Sequence, residues 1–231
     1  MTLRELIQLL RSATDVREID KYKDEIVTLV PETKIMMDFN QQNYAHQYDL
    51  WEHSLQTVVG LPKDIEDDMV YLAALVHDIG KPDCQIYDEC DGKVNMHYYG
   101  HPIRSMEITR DQIIPGLIAK GEKMTDDEQR RFLYYIEYHD DRVSLRMKHL
   151  CRHLKLGASV SEFQTLMKLQ VADAKAHVLI PIVQQRIEVC EKLSGEYAEE
   201  LYREILAGNK YMIEEKKKKV KNSFLCTVYC A

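Results

Sequence analysis

The sequence predicts an all-α fold. Strand signals are weak almost everywhere, and apolar residues recur instead at helical spacing along most of the chain. The segment from Glu66 to His77 carries Met69, Leu72, Ala73 and Val76 on one face, as a helix running through the core would. At 231 residues the chain forms one large domain, or one domain with small appendages. The apolar pattern predicts roughly nine to eleven helices.

Taken in order, residues 2–12 and 15–29 read as two helices, with Thr14 or Asp15 as N-cap between them and Pro31 closing the second. A third helix is expected over 48–60, ended by Gly60-Leu61-Pro62. Residues 82–100 lack helical period. Asp91-Gly92 sits between short alternating runs there, so a small hairpin or a loop is expected. Helices follow over 101–113, 126–139, 144–155, 159–176, 178–193 and about 196–207, before Gly208. Pro181 falls in a first helical turn, where its missing N–H costs little. Residues 1–34 read as an N-terminal helical extension, 35–208 as the main domain and 209–231 as a tail. That tail holds Glu214-Glu215 and four lysines, Lys216 to Lys219, and reads as a solvated helix end.

Hydrophobic residues make up 45% and charged residues 30%, the balance of a soluble globular protein. A net charge of −7 argues against a dominant, sequence-blind grip on nucleic acid, though not against a local basic patch. No run approaches the length needed to span a membrane, and the first ten residues read as an amphipathic helix, not a signal peptide. The six cysteines form no C-x-x-C pair and are expected to be free thiols in a reducing cytoplasm. Cys226 and Cys230 lie four apart, but no second pair completes a zinc site.

The most informative stretch is His77-Asp78-Ile79-Gly80-Lys81, at the end of an apolar run. Adjacent residues on a continuous helix point about 100° apart, so this pair converges on one ion only where the helix ends or distorts. Gly80 supplies that ending, expected through a left-handed conformation, and Lys81-Pro82 stops any continuation. Burying an acid here is costly without a partner. Further histidines and an aspartate lie far away: His53, His101, His139 and Asp173. Helices meeting around one centre would unite them. All are nitrogen or oxygen donors, which suit Mn, Fe, Co, Ni, Mg or Zn without selecting among them. Asp78 is the natural bridge between two ions, and His101 and His139 complete a second ion's shell or are structural. Glu52, Glu107 and Asp140 are nearby candidates to hold the histidine rings. Lys81 either holds a substrate phosphate or is a lysine favoured by the helix dipole. His46, His97 and His177 are left over and read as structural or peripheral, with His46 the one near the His53 position.

These residues resemble the HD superfamily of metal-dependent phosphohydrolases, whose pattern H…HD…D would be His53, His77-Asp78 and Asp173, with the HDIG form verbatim at 77–80. The extra histidines, His101 in YYGHPIRS and His139 in IEYHDD, stand where two-metal members carry theirs. The stretches LVPETKIMMDFNQQNYAHQYDLWEHSLQTV, LAALVHDIGKP, GHPIRSMEI and LMKLQVADAKAH are also similar, in order, to the HD domain of bacterial tRNA nucleotidyltransferases. The Gly-Ser stretch and Asp-x-Asp pair of that enzyme's nucleotide-adding head are missing, so nucleotide addition is not expected. The resemblance implies an HD-domain helical bundle with one or two divalent metal ions. It also implies hydrolysis of a nucleotide or related phosphoester, 2′,3′-cyclic phosphates among them, by a metal-activated water. Asp78 or another carboxylate would take the proton, and Lys81, Arg104 and Arg142 would face the substrate. Two other readings stay open. Arg142, Arg146, Lys148, Arg152 and Lys155 offer a basic helical stretch to RNA, which would make the chain an accessory module. A sensor that keeps the metal without turnover is the second. His149 and His153, four apart, lack an evident third ligand.

Overall fold

The structure, a computed structural model, describes residues 1–43, 45–90 and 93–208, with the side chains of 88–95 excepted. The described chain runs α1 (Leu3–Ser12), α2 (Val16–Asp20), α3 (Lys23–Leu29), a 3₁₀ turn (Pro31–Met36), α4 (Leu50–Gly60) and α5 (Met69–Val76). A second 3₁₀ turn (Lys81–Cys84) leads into strands β1 (Ile86–Cys90) and β2 (Lys93–His97). Then come α6 (His101–Ile108), a π segment (Thr109–Ile113), α7 (Ile114–Ala119), α8 (Asp126–Tyr138), α9 (Met147–Lys155), α10 (Val160–Lys175) and α11 (Pro181–Leu193). A last helix covers 196–208. The class is all-α. The one sheet among the described residues is the antiparallel β1–β2 pair, in register from Ile86↔His97 to Cys90↔Lys93.

Short polar side chains set several helix starts. Thr2, Thr125 and Ser159 each accept the N–H three residues on, while Glu5, Glu128 and Glu162 reach back to the cap's own N–H. Asp49 caps α4 by accepting from Glu52 N, which places His53 in the first turns of that helix. At the centre lies α5. All eight of its residues are buried, so it is apolar all round rather than on one face. It packs against α1, α4, α8 and α10. Leu3, Leu6 and Leu10 of α1 join the same core.

Several expected elements differ in detail. The helix expected over 15–29 is two, α2 and α3, with Asp15 the N-cap and Lys21-Tyr22 between them. Pro31 opens a 3₁₀ turn as well as ending α3. The helix expected to stop at 113 continues through the π segment to Ala119. Pro115 has no N–H to give and its ring crowds the carbonyl one turn back, so the helix widens instead of breaking. The hairpin expected near Asp91-Gly92 is present as β1 and β2, while those two turn residues lie outside the described set. The lysine-rich tail, Cys226 and Cys230 lie outside it too.

Gly80 is not left-handed. Its φ of −82° and ψ of −8° are open to any residue, so the reason for glycine is proximity. A Cβ there would stand 2.6 Å from Ser105 N and 2.9 Å from Arg104 C, both backbone atoms of α6. Gly80 N–H also donates to Ser105 Oγ at 2.9 Å. This contact draws the turn after α5 against α6 and brings Asp78 to His101. Gly80→Ala is therefore expected to lower the unfolding free energy by about 1–3 kcal/mol through overpacking. Urea denaturation checks this, and an unchanged midpoint would contradict it.

Candidate metal centre

Five elements deliver six side chains to one place. His53 comes from the start of α4, His77 and Asp78 from the turn after α5, His101 from the first residue of α6, His139 from just past α8 and Asp173 from the last turns of α10. All six are buried. Asp78 lies between two groups. Its Oδ2 is 3.3 Å from His53 Nε2 and 3.1 Å from His77 Nε2. Its Oδ1 is 3.0 Å from His101 Nε2 and 3.3 Å from His139 Nε2. Asp173 Oδ1 closes the first group, 3.0 Å from His53 Nε2 and 3.5 Å from His77 Nε2. The donor atoms of His53, His77, Asp78 and Asp173 lie within 4.8 Å of one another, as do those of Asp78, His101 and His139.

Three of the four rings are oriented by backbone carbonyls. His77 Nδ1 donates to Ala74 O at 2.9 Å, His101 Nδ1 to Tyr98 O at 2.8 Å and His139 Nδ1 to Ile136 O at 2.7 Å. A carbonyl oxygen only accepts, so the proton of each neutral ring sits on Nδ1 and the Nε2 lone pair faces the centre. His101 Nε2 and His139 Nε2 then stand 3.2 Å apart. Two lone pairs at that distance repel unless a cation or a proton lies with them. His77 Nε2 and Asp78 Oδ1 are buried without a hydrogen-bond partner, although oppositely polar atoms are close. Only His53 Nε2 meets an acid in a hydrogen bond, with Asp173 Oδ1 at 3.0 Å. This is the donor geometry a divalent ion fits, and the backbone carbonyls, not Glu52, Glu107 or Asp140, hold the rings.

Charge follows the same plan. Burial alone would raise the Asp78 and Asp173 carboxyls, but the surrounding histidines, and Lys81 beside Asp78, hold both well below the usual range. Burial would lower His77, yet Asp78 and Asp173 overcome it and raise that ring to about 10. A proton and a divalent cation compete for one field here. Lys81 is buried, its Nζ 2.6 Å from Asp78 Oδ2 and donating to Gln41 Oε1 at 2.8 Å. It is a pinned partner of Asp78 that also lines the cavity, rather than a free surface cation.

That cavity, of about 330 Å³, opens above Asp78, His101, His139 and Asp173. Two expected substrate residues lie away from it. Arg104 is turned to Asp83 at 2.7 Å and Glu107 at 3.3 Å, and Arg142 is exposed beside a different hollow. Conversely, His46 and His177 reach the cavity wall, and their ring nitrogens group with those of His53. His177 Nδ1 donates to Asp173 O at 2.8 Å, the same tautomer lock. Its signal was its place four residues after Asp173, just past the end of α10. Arg186 also lines the wall, bonding Asp140 at 2.5 Å and His139 O at 2.8 Å.

The pair His149 and His153 does have a third donor, Asp141, which long-range folding brings to it. The Arg152 guanidinium already pairs with that carboxylate, and Ser144 N–H donates to His149 Nδ1 at 3.2 Å. The charge of Asp141 is thus balanced by an arginine. It also spends one cation of the basic stretch offered to RNA.

No family model matches the chain, and no curated protein or solved structure matches it either. No described helix is long and apolar enough to cross a membrane.

His149 and His153 give a pH test free of any metal. Burial lowers both rings from 6.5 to about 4, helped by His153 beside His149 and by Arg152 beside His153. The unfolded chain takes up protons near 6.5 and the folded chain only near 4, so stability rises with pH through that window. Replacing His149 by leucine should make the slope of unfolding free energy against pH shallower by roughly one proton. Denaturant titrations across the window check it, and an identical slope would contradict it.

Proposed function

We propose that the chain is a metal-dependent phosphohydrolase of the HD type, acting on a nucleotide or related phosphoester. Residues 35–208 form the hydrolytic domain in this reading. One observation carries it: three imidazoles are held by backbone carbonyls with Nε2 turned inward around a buried carboxylate. His53, His77, Asp78 and Asp173 would hold one divalent ion, and Asp78, His101 and His139 a second. Such an ion, when bound, supplies Lewis-acid polarisation of a phosphoryl group and an activated water.

The chain's own residues do the rest. Asp78 and Asp173 are balanced by Lys81 and by the proton on His77, and a divalent cation that displaces that proton leaves the donor cluster with one net positive charge. An anionic phosphoester is then attracted. Lys81, held by Gln41, keeps the Asp78 carboxylate in place and puts a fixed positive charge against the cavity, where charge builds on phosphoryl oxygens. Asp78, Asp140 and Asp173 are the carboxylates on the cavity wall. Burial of the six donors in the core strengthens each of these interactions.

The test is hydrolysis of bis(4-nitrophenyl) phosphate with Mn²⁺ supplied. Asp78→Asn and Asp173→Asn are expected to lose at least roughly 100-fold in kcat/KM, since even a partner one shell beyond a metal ligand is worth roughly 10–100-fold. Equal rates in wild type and both variants would overturn the proposal. Tight metal retention by wild type with no turnover of any phosphoester would also overturn it, in favour of a metal-keeping sensor.

A further inference from the structure

The cavity above the donor cluster has an aromatic rim that the hydrolytic reading does not use. Tyr99 is 70% exposed, yet it lines the cavity wall. A tyrosine normally buries most of its ring, so one held out in solvent beside a polar centre stands out. Its ring lies parallel to that of His97, 6° apart in plane and 5.2 Å between centroids. Both side chains line the cavity.

The backbone holds this pair in place. Tyr98, between them, points inward. Its hydroxyl donates to Gln41 O, its ring meets the edge of Phe39 at 6.3 Å, and Lys81 Nζ lies 5.7 Å from its centroid. Gly100, at φ +82°, makes the left-handed turn that sends the chain back into the cluster at His101. Tyr99 therefore faces out two residues before a donor of the cluster. Tyr99 and the donors Asp78, His101, His139 and Asp173 line the same cavity.

We propose that Tyr99, backed by His97, is a stacking platform for the base of a nucleotide whose phosphate sits over the metal centre. The inference rests on the phosphoester reading above and narrows its substrate class to nucleotides. A planar ring on a planar platform tolerates any base, so selectivity lies between nucleotides and base-free phosphoesters.

Titration calorimetry of the full chain, supplied with Mn²⁺, tests it with two probes, adenosine 5′-monophosphate and ribose 5-phosphate. Wild type should bind the nucleotide about tenfold or more tightly than the sugar phosphate. Tyr99→Ala should remove most of that difference without weakening ribose 5-phosphate, and Tyr99→Trp should keep it. Equal affinity of wild type for the two probes overturns the proposal, as does absence of nucleotide binding. A Tyr99→Ala variant weakened equally for both also overturns it. The readout is binding, so the two readings fail separately. Nucleotide binding through Tyr99 without turnover of any phosphoester sinks the hydrolase and leaves the platform, while equal affinity with active turnover does the reverse.

Discussion

A buried carboxylate with too many partners is the constraint on which this structure depends. Asp78 is fully enclosed, and four imidazole nitrogens and an ammonium lie within 3.3 Å of its two oxygens. Burying an ion costs several kcal/mol even after relaxation, so the cluster exists only because its charges are compensated on every side. Lys81 and the proton held on His77 provide that compensation within the chain itself. Both sit where a divalent cation would be stabilised by the same oxygens. The site is an electrostatic trap built from the fold, with the rings of His77, His101 and His139 oriented by backbone carbonyls.

The bundle is arranged to serve that trap. Fully apolar α5 fills the centre and ends where His77 and Asp78 begin. Helices α4 and α10 pack on each other and supply His53 and Asp173 from opposite ends of the sequence. Helices α6 and α8 pack likewise and supply His101 and His139. Three of the donors sit at helix boundaries, where the chain direction changes and neighbouring side chains can converge. Gly80 adds the one close backbone approach that draws the α5 turn onto α6.

Much of this was legible before any coordinates. Helical period marked nearly every element, and the adjacent pair His77-Asp78 marked the centre, while His101 and His139 stayed open on spacing and entered the set through the resemblance. The misses have physical reasons. Local pattern shows that a residue is basic, not which acid it will meet, so Arg104 and Arg142 looked available for substrate. His46 and His177 looked spare because their partners come from other elements. Asp141 joined His149 and His153 through a loop that periodicity does not describe. Gly80 was read through backbone freedom, when the decisive fact is a neighbour from a helix more than twenty residues on. Tyr99 gave no signal, since exposure and a parallel ring partner are properties of the folded chain.

The central claim is that the inward lone pairs hold a cation. Anomalous diffraction from crystals grown with Mn²⁺ tests it most directly. A peak is expected within coordination distance of His53, His77, Asp78 and Asp173, with a second, if present, against Asp78, His101 and His139. Crystals soaked in excess Mn²⁺ that show no peak there, while the six side chains keep their positions, would contradict it.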